Sequence, residues 1–388
     1  MYRIRLLPWE YGVRNLLRRP LRSTLTFVGL ALTVFLVFVV VGYIRGLETS
    51  LAASGDRHVV IVHALGASEN LEISSVPART PELLSASLEG IQRYQGASLV
   101  SGELYLGTLV TANEGAPSFG LVRGVTPATL LVRRQVQILQ GHYPGPGDVM
   151  VGRLASTKLG RSTEALAIGH IVRFEGRDWR VSGIFAARGS TLESELWCPL
   201  DELQQAMKRQ DLTIVAITLA PGAAFEDVDE FCKERLDLEL EATPETAYYA
   251  ALNHHYRPVR ALAWLIAAMI VCAGVFTGLN TMYGAVVGRV REMATLQAIG
   301  YGRLAVALAL IQEATLLAAG GSLLAAALAL VFLNGVGVRF TMSAFALRVD
   351  SASIGISTGA GLLLGILGSI PPAIKAMRLP VVEGLKAV

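Results

Sequence analysis

Four long apolar runs divide the chain, at residues 24–44, 259–285, 304–334 and 353–370, each built mainly from Leu, Val, Ala, Ile, Phe and Gly. A helix of about 21 residues reaches about 31 Å, which matches a bilayer hydrocarbon core of about 30 Å. Each run therefore predicts a membrane-spanning helix. The first is too long for the apolar region of a cleaved signal peptide, and no small-x-small site directly follows it. The third is longer than a perpendicular helix needs, so it should tilt, kink or project from the membrane. Its Ala318, Ala319, Gly320 and Gly321 predict a small-residue face and a bend.

Between the first and second runs, over residues 45–258, the pattern changes. Apolar stretches shorten, Gly and Pro punctuate them, and acids appear. Alternation or short apolar runs predict strands at His58–His63, Ser98–Thr111, Phe119–Val125, Gln135–Leu139, His170–Phe174, Trp179–Phe185 and Leu212–Leu219. Helical spacing predicts helices at Pro81–Tyr94, Leu200–Arg209 and Phe225–Leu236. The tract GHYPGPGDVMVG reads as a turn cluster followed by a strand. A mixed α/β domain of about 210 residues is long enough for its own core and for two subdomains. The predicted fold class is thus an α-helical membrane protein of four spans with a large extracytoplasmic α/β domain between the first and second.

Composition agrees: 52% of the residues are hydrophobic and 17% charged, where soluble domains carry about a quarter charged. The net charge is only +3, and its placement says more. Arg3, Arg5, Arg14, Arg18, Arg19 and Arg22 face a single acid, Glu10, over residues 1–23, interleaved with Trp9, Tyr11, Val13, Leu16 and Leu17. That pattern predicts an amphipathic helix in the cytoplasmic interface, ended by Pro20. These arginines orient the N-terminus inside. Four spans then return the tail, residues 371–388 with Lys375, Arg378 and Lys386, to the same side, with a short external loop at 335–352.

Few polar groups lie in the spans. Asn280 lies near the cytoplasmic end of the second run, and Gln312 and Glu313 lie in the third, where an acid is costly, must face protein or water, and marks a functional position by default. No second ionisable residue accompanies Glu313 within its run, which favours an anchor between helices or to a loop over a proton relay. Gly274 and Gly278, Gly355 and Gly359, and Gly361 and Gly365 are each spaced as G-x-x-x-G, which admits a second helix closely, within the subunit or across a dimer.

Signs of catalysis are missing. The sequence holds no G-x-S-x-G, no H-E-x-x-H and no G-x-x-x-x-G-K-[ST]. The three cysteines, Cys198, Cys232 and Cys272, lack metal-ligand spacing, and two free buried thiols are favoured over a Cys198–Cys232 bridge. His254 and His255 lack a third ligand nearby. Glu193, Glu195, Asp201 and Glu202 read as a solvated face, and no basic patch with aromatics suggests nucleic acid. No catalytic residue, metal or directly bound cofactor is expected.

The segment at 286–303 joins the second and third spans. Arg289, Arg291 and Glu292 open it, Ala294, Leu296, Ala298 and Ile299 give it an apolar side, and Gly300 and Gly302 stop it. Its string REMATLQAIGY, followed by QEATLLAAGG, resembles the signature of FtsX-like, MacB-type permeases of ABC transporters, most closely the heterocyst-glycolipid-exporter type. NLLRRPLRSTLT before the first span and AIKAMRLPVVEGLKA at the end resemble that family's flanking segments, with Gly384 in place of the usual alanine. The tract GDVMVG…GHIVRFEGRDWRVSGIFA resembles its extracytoplasmic domain more loosely.

The resemblance implies an inner-membrane permease subunit with cytoplasmic termini. It implies that Arg291, Glu292, Thr295, Leu296, Ala298 and Gly300 dock on a separate ATPase, which supplies ATP and Mg chemistry. It further implies a homodimer, a periplasmic adaptor, an outer-membrane channel, and export or extraction of a lipid-like or hydrophobic substrate. The alternative within the family is a signalling permease that controls cell-wall hydrolases without transport.

Overall fold

The computed structural model describes residues 20–112, 115–341, 343–378 and 380–382, together with residues 14, 16 and 18. The expected surface helix over 1–23 and the end of the tail, including Gly384 and Lys386, fall largely outside the described residues. The chain divides into two compact units: Met1–Arg45, Pro258–Gly335 and Leu347–Val388 form a helical unit, and Gly46–Arg257 with Val336–Ala346 form an α/β unit. The first helix, α1 (Pro20–Ser54), passes through the division between them.

The α/β unit follows the predicted mixture with several corrections. Strand β1 (Val59–Ala64) comes first. Helix α2 (Thr80–Ser87) stops well short of the predicted Tyr94, because Leu88–Gly90 leaves the helix and Arg93–Tyr94 (β2) pairs with Ala97–Ser98 (β3) across a tight turn. Gln95 and Gly96 both take positive φ there, the turn type that fits two-residue hairpins. Next come β4 (Val100–Ala112), β5 (Ser118–Val125), α3 (Ala128–Val132), β6 (Gln137–Gly141), β7 (Asp148–Gly152) and α4 (Ala155–Leu159). Then follow β8 (Ile171–Phe174), β9 (Arg177–Ala186), β10 (Glu195–Pro199), α5 (Leu200–Met207), β11 (Ile214–Thr218), α6 (Glu226–Glu234), β12 (Leu240–Pro244) and α7 (Glu245–His255).

These strands form two lobes that share β4. In one lobe β12, β1, β11 and the first residues of β4 make an antiparallel sheet. It buries Val60, Val62, Val215 and Ile217 against α2 and α6, through Leu84, Val228 and Phe231. In the other lobe the pairings close on themselves: β4 with β5, β5 with β10, β10 with β7, β7 with β9, β9 with β8, and β8 back to β4. Closure removes the exposed edges an open sheet would present. The barrel interior holds Leu104, Val122, Val151, Phe174, Trp179, Val181 and Leu196. Within β4, Val100–Glu103 pair with β11, and Leu104–Val110 pair with β5.

The acids expected on a solvated face divide. Glu193 and Glu195 are buried: Glu195 opens β10 against an arginine, and Glu193 accepts from the backbone N–H groups of Ala187 and Gly189. Cys198 sits in the barrel core and Cys232 in the other lobe, both as free thiols. The expected external loop contains a hairpin, β13 (Gly337–Phe340) with β14 (Ser343–Ala346), that belongs to the α/β unit. Buried Lys158 on α4 donates to the Thr341 carbonyl at its turn. Burial, with Arg339 beside it, lowers the Lys158 ammonium pKa to about 8.

The helical unit continues with α8 (Arg257–Val287), α9 (Val290–Ala298), α10 (Arg303–Phe332) and α11 (Ser351–Met377). Helices α1, α8, α10 and α11 are long and apolar enough to cross a membrane. Two boundaries differ from expectation. Helix α10 runs unbroken through Ala318–Gly321, where Gly320 and Gly321 lie against Phe27 and Ala31 of α1. Helix α11 continues through Pro371 and Pro372 to Met377, so what reads as the start of a tail is its last two turns. Each proline removes one backbone donor without ending the helix.

Candidate coupling site

Helix α9 is short, and its anchorage comes from packing more than from propensity. Met293 and Ala294 are buried and Leu296 is half-buried. Met293 and Leu296 join a cluster with Val286 of α8, Ala305, Val306 and Leu310 of α10, and Ala373 and Ala376 of α11. The end is a Schellman motif: Tyr301 N–H donates to Leu296 O at 3.1 Å and Gly300 N–H to Gln297 O at 3.1 Å. Gly300 takes φ +104°, a conformation that disfavours any side chain.

The outer face carries Arg291, Glu292, Thr295, Ala298, Ile299 and Gly300, all exposed. Of the residues expected at a docking surface, Leu296 instead turns inward. Of those expected on the apolar side, Ala298 and Ile299 turn outward, Ile299 with 70% of its surface exposed. The helical repeat accounts for this exchange, since Met293, Ala294 and Leu296 define one face and Thr295, Ala298 and Ile299 the other.

Arg289 and Glu313 make the central contact. Arg289 is the N-cap of α9, and Met293 N–H donates to its carbonyl at 3.0 Å. Its guanidinium donates to Glu313 on α10 through Nη1 at 2.8 Å and 3.2 Å and through Nη2 at 3.1 Å. Both side chains are nearly inaccessible, at 5% and 8% exposure. The companion charge missing from the run of Glu313 thus arrives from the preceding segment, where Arg289 reads in the sequence only as one of the charges that open it. A two-point ion pair fixes both position and angle. It ties the start of α9 to the body of α10, and the apolar cluster holds the rest. Gln312, next to Glu313, is exposed.

The glycine ladders divide by environment. A Cβ at Gly274 would overlap the Leu364 side chain, at Gly361 that of Ser322, and at Gly365 that of Ala318, so these three mark close helix crossings. Gly278 has ordinary contact with Leu364, while Gly355 and Gly359 meet nothing within 4 Å. Between α1 and α8 runs a groove of about 380 Å³ lined by Leu25, Gly29, Thr33, Gly274, Thr277 and Gly278, among others. Thr33 and Thr277 donate to carbonyls of their own helices, which leaves the groove lining chiefly apolar.

Two family profiles match the chain. The MacB-like periplasmic core domain matches residues 23–230 and the FtsX-like permease C-terminal region matches residues 264–381. The chain belongs to the FtsX-like, MacB-type family of ABC transporter permeases, membrane subunits that work with an ABC ATPase. Solved structures similar to it include the periplasmic region of MacB from Actinobacillus actinomycetemcomitans, at 11% identity and TM-score 0.40, covering 53% of this chain and 97% of that one. A domain of a putative permease from Porphyromonas gingivalis has 15% identity and TM-score 0.34, covering 48% of this chain and 90% of that one. The extracellular domain of the ABC-type transporter YknZ from Gram-positive bacteria has 12% identity and TM-score 0.36, covering 48% and 99%. No curated protein matches the chain.

Proposed function

We propose that this permease converts ATP hydrolysis by a separate ATPase into motion of its α/β unit, and so drives export or extraction of a lipid-like or hydrophobic substrate from the periplasmic side of the inner membrane. The four long helices cross that membrane with both chain ends in the cytoplasm. Two copies pair, and a periplasmic adaptor and an outer-membrane channel complete the path. The observation that carries this reading is α9: a short helix between two long apolar ones, fixed by an ion pair and an apolar cluster, with its opposite face solvent-exposed. That face, Arg291, Glu292, Thr295, Ala298, Ile299 and Gly300, is the docking surface for the ATPase. A mechanical role fits the charge distribution, since Arg289 and Glu313 neutralise one another and are both nearly inaccessible.

The test is Glu292→Arg in the full chain. The variant should insert and fold as wild type but fail to retain the ATPase in a mild-detergent pulldown and fail to export. A variant that retains the ATPase and exports normally would show the assignment to be wrong. Recovery of a cell-wall hydrolase in place of an adaptor from wild-type membranes would instead mark the signalling branch of the family.

A further inference from the structure

The α/β unit buries a chain of charges. Glu103 lies on β4, where the strand passes from one lobe to the other. Its carboxylate accepts from Arg123 of β5 and, at 2.9 Å from both Nε and Nη2, from Arg133 just beyond α3. On the barrel side, Arg123 donates at 2.7 Å to each oxygen of Glu195 on β10, and the Trp197 indole donates to the same carboxylate at 2.8 Å. On the other side, Arg133 Nη1 donates at 2.7 Å to Glu245, the first residue of α7. The second oxygen of Glu245 accepts from the Asp56 backbone N–H at 2.9 Å, just after α1 ends. All five charged side chains are at most 5% exposed.

Removing charges from water is costly, and a well-packed apolar cluster of the same volume is often as stable or more so. Stability alone therefore does not explain so long a buried ionic chain. Its topology does. Read in order, Glu245, Arg133, Glu103, Arg123 and Glu195 run from the lobe that receives α1 and emits α7, across the shared strand, into the barrel. Every link is a directional hydrogen bond with short reach, so the lobes cannot rotate about β4 without breaking one. Burial would push the Glu103 carboxyl up, but Arg133 and Arg123 more than offset it and hold it below the usual range. Burial pushes Glu245 up, and Arg133 offsets only part of that. Glu245 is one end of the chain, and Glu195 is the other.

We propose that Glu245, Arg133, Glu103, Arg123 and Glu195 form an ionic lock that holds the two lobes at one angle and fastens the end of α1 and the head of α7 to them. The α/β unit then moves as a single rigid arm. The use of that rigidity in transmitting ATPase motion rests on the function proposed above, but the lock itself is tested without any ATPase. In a Cys272→Ser background, nitroxides at Glu230→Cys on α6 and Gln140→Cys on β6, both exposed positions, report the angle between lobes by pulsed EPR in lipid nanodiscs.

Wild type should give one narrow distance peak. The double variant Arg133→Met/Glu245→Gln removes one charge of each sign and leaves Arg123 with Glu103 and Glu195. It should unfold at a temperature well above that of Arg133→Met alone yet lose the narrow peak, a separation that a purely structural role would not produce. Where the double variant does not fold, Glu245→Gln alone is read in the same way, since its amide oxygen still accepts from Asp56. An unchanged narrow peak in either folded variant overturns the lock. In the assembled complex the broadened variant should bind its ATPase and hydrolyse ATP while losing coupled output.

Discussion

The helical unit and the α/β unit each bury ionised side chains, and they do so in different ways. In the helical unit Arg289 and Glu313 form a closed pair of opposite charges that share one contact and sum to zero. In the α/β unit three carboxylates and two guanidiniums alternate along a chain, with one negative charge in excess. A closed pair fixes one point, here the start of α9 on α10. An alternating chain spans distance and joins elements of both lobes, from the head of α7 to β10 in the barrel. The cost of burial scales with the number of charges, so the longer set implies that what it fixes extends over more than one contact.

Substitutions break this comparison in a graded way. Arg133→Met alone should be the most damaging, because it strands Glu245 and removes two of the three side-chain hydrogen bonds to Glu103. Removing one partner of a buried set costs about 3–5 kcal/mol, and thermal unfolding of the α/β unit should show it. Adding Glu245→Gln to that variant should recover much of the loss, which no apolar packing defect would do.

Glu313→Ala strands a single guanidinium, near a helix end from which a long side chain can reach toward water. The cost should therefore lie at the lower end, about 3 kcal/mol. Hydrogen exchange should rise across residues 289–298 while the α/β unit keeps its protection. If exchange rises equally in both units, the pair is not a local anchor of α9.

Packing gives a milder contrast within the helical unit. Gly365→Val places atoms where Ala318 already sits and should destabilise by about 1–3 kcal/mol. Gly355→Ala faces open space and should change stability by no more than about 0.5 kcal/mol. Equal effects would mean that a partner outside the chain covers Gly355.

The smallest effect belongs to Arg45 and Asp350, a half-exposed pair at 2.8 Å between α1 and the N-cap of α11. Burial alone would raise the Asp350 carboxyl, but Arg45 and the Ser353 N–H and hydroxyl bring it from 3.8 down to about 2. A depressed acid adds stability that is complete above its unfolded pKa and lost as pH falls through its folded one. The contribution should therefore be full above about pH 4 and vanish by about pH 2, at no more than about 1 kcal/mol. Asp350→Asn should remove that pH dependence from the melting temperature, and an unchanged profile would assign it to other acids.

The four long helices, the change of texture between them and the glycine stop of α9 were all legible in the sequence, because period and composition are local properties. So were most strands of the α/β unit, through alternation. Three things were not. The end of α11 was hidden because two prolines usually end a helix, and only packing of Ala373 and Ala376 beneath α9 carries it onward. Glu193 and Glu195 looked solvated because acids usually are, and nothing local announces that Arg123 will lie across from β10. Arg289 looked like one more charge opening the segment, since its partner lies on the next helix. The sequence by itself determined which segments could be apolar helices and which could be strands, since those follow from neighbours along the chain. Which charges are buried, and with whom, was decided only by the tertiary structure, because a charge is tolerated away from water only when folding brings its opposite within hydrogen-bond reach.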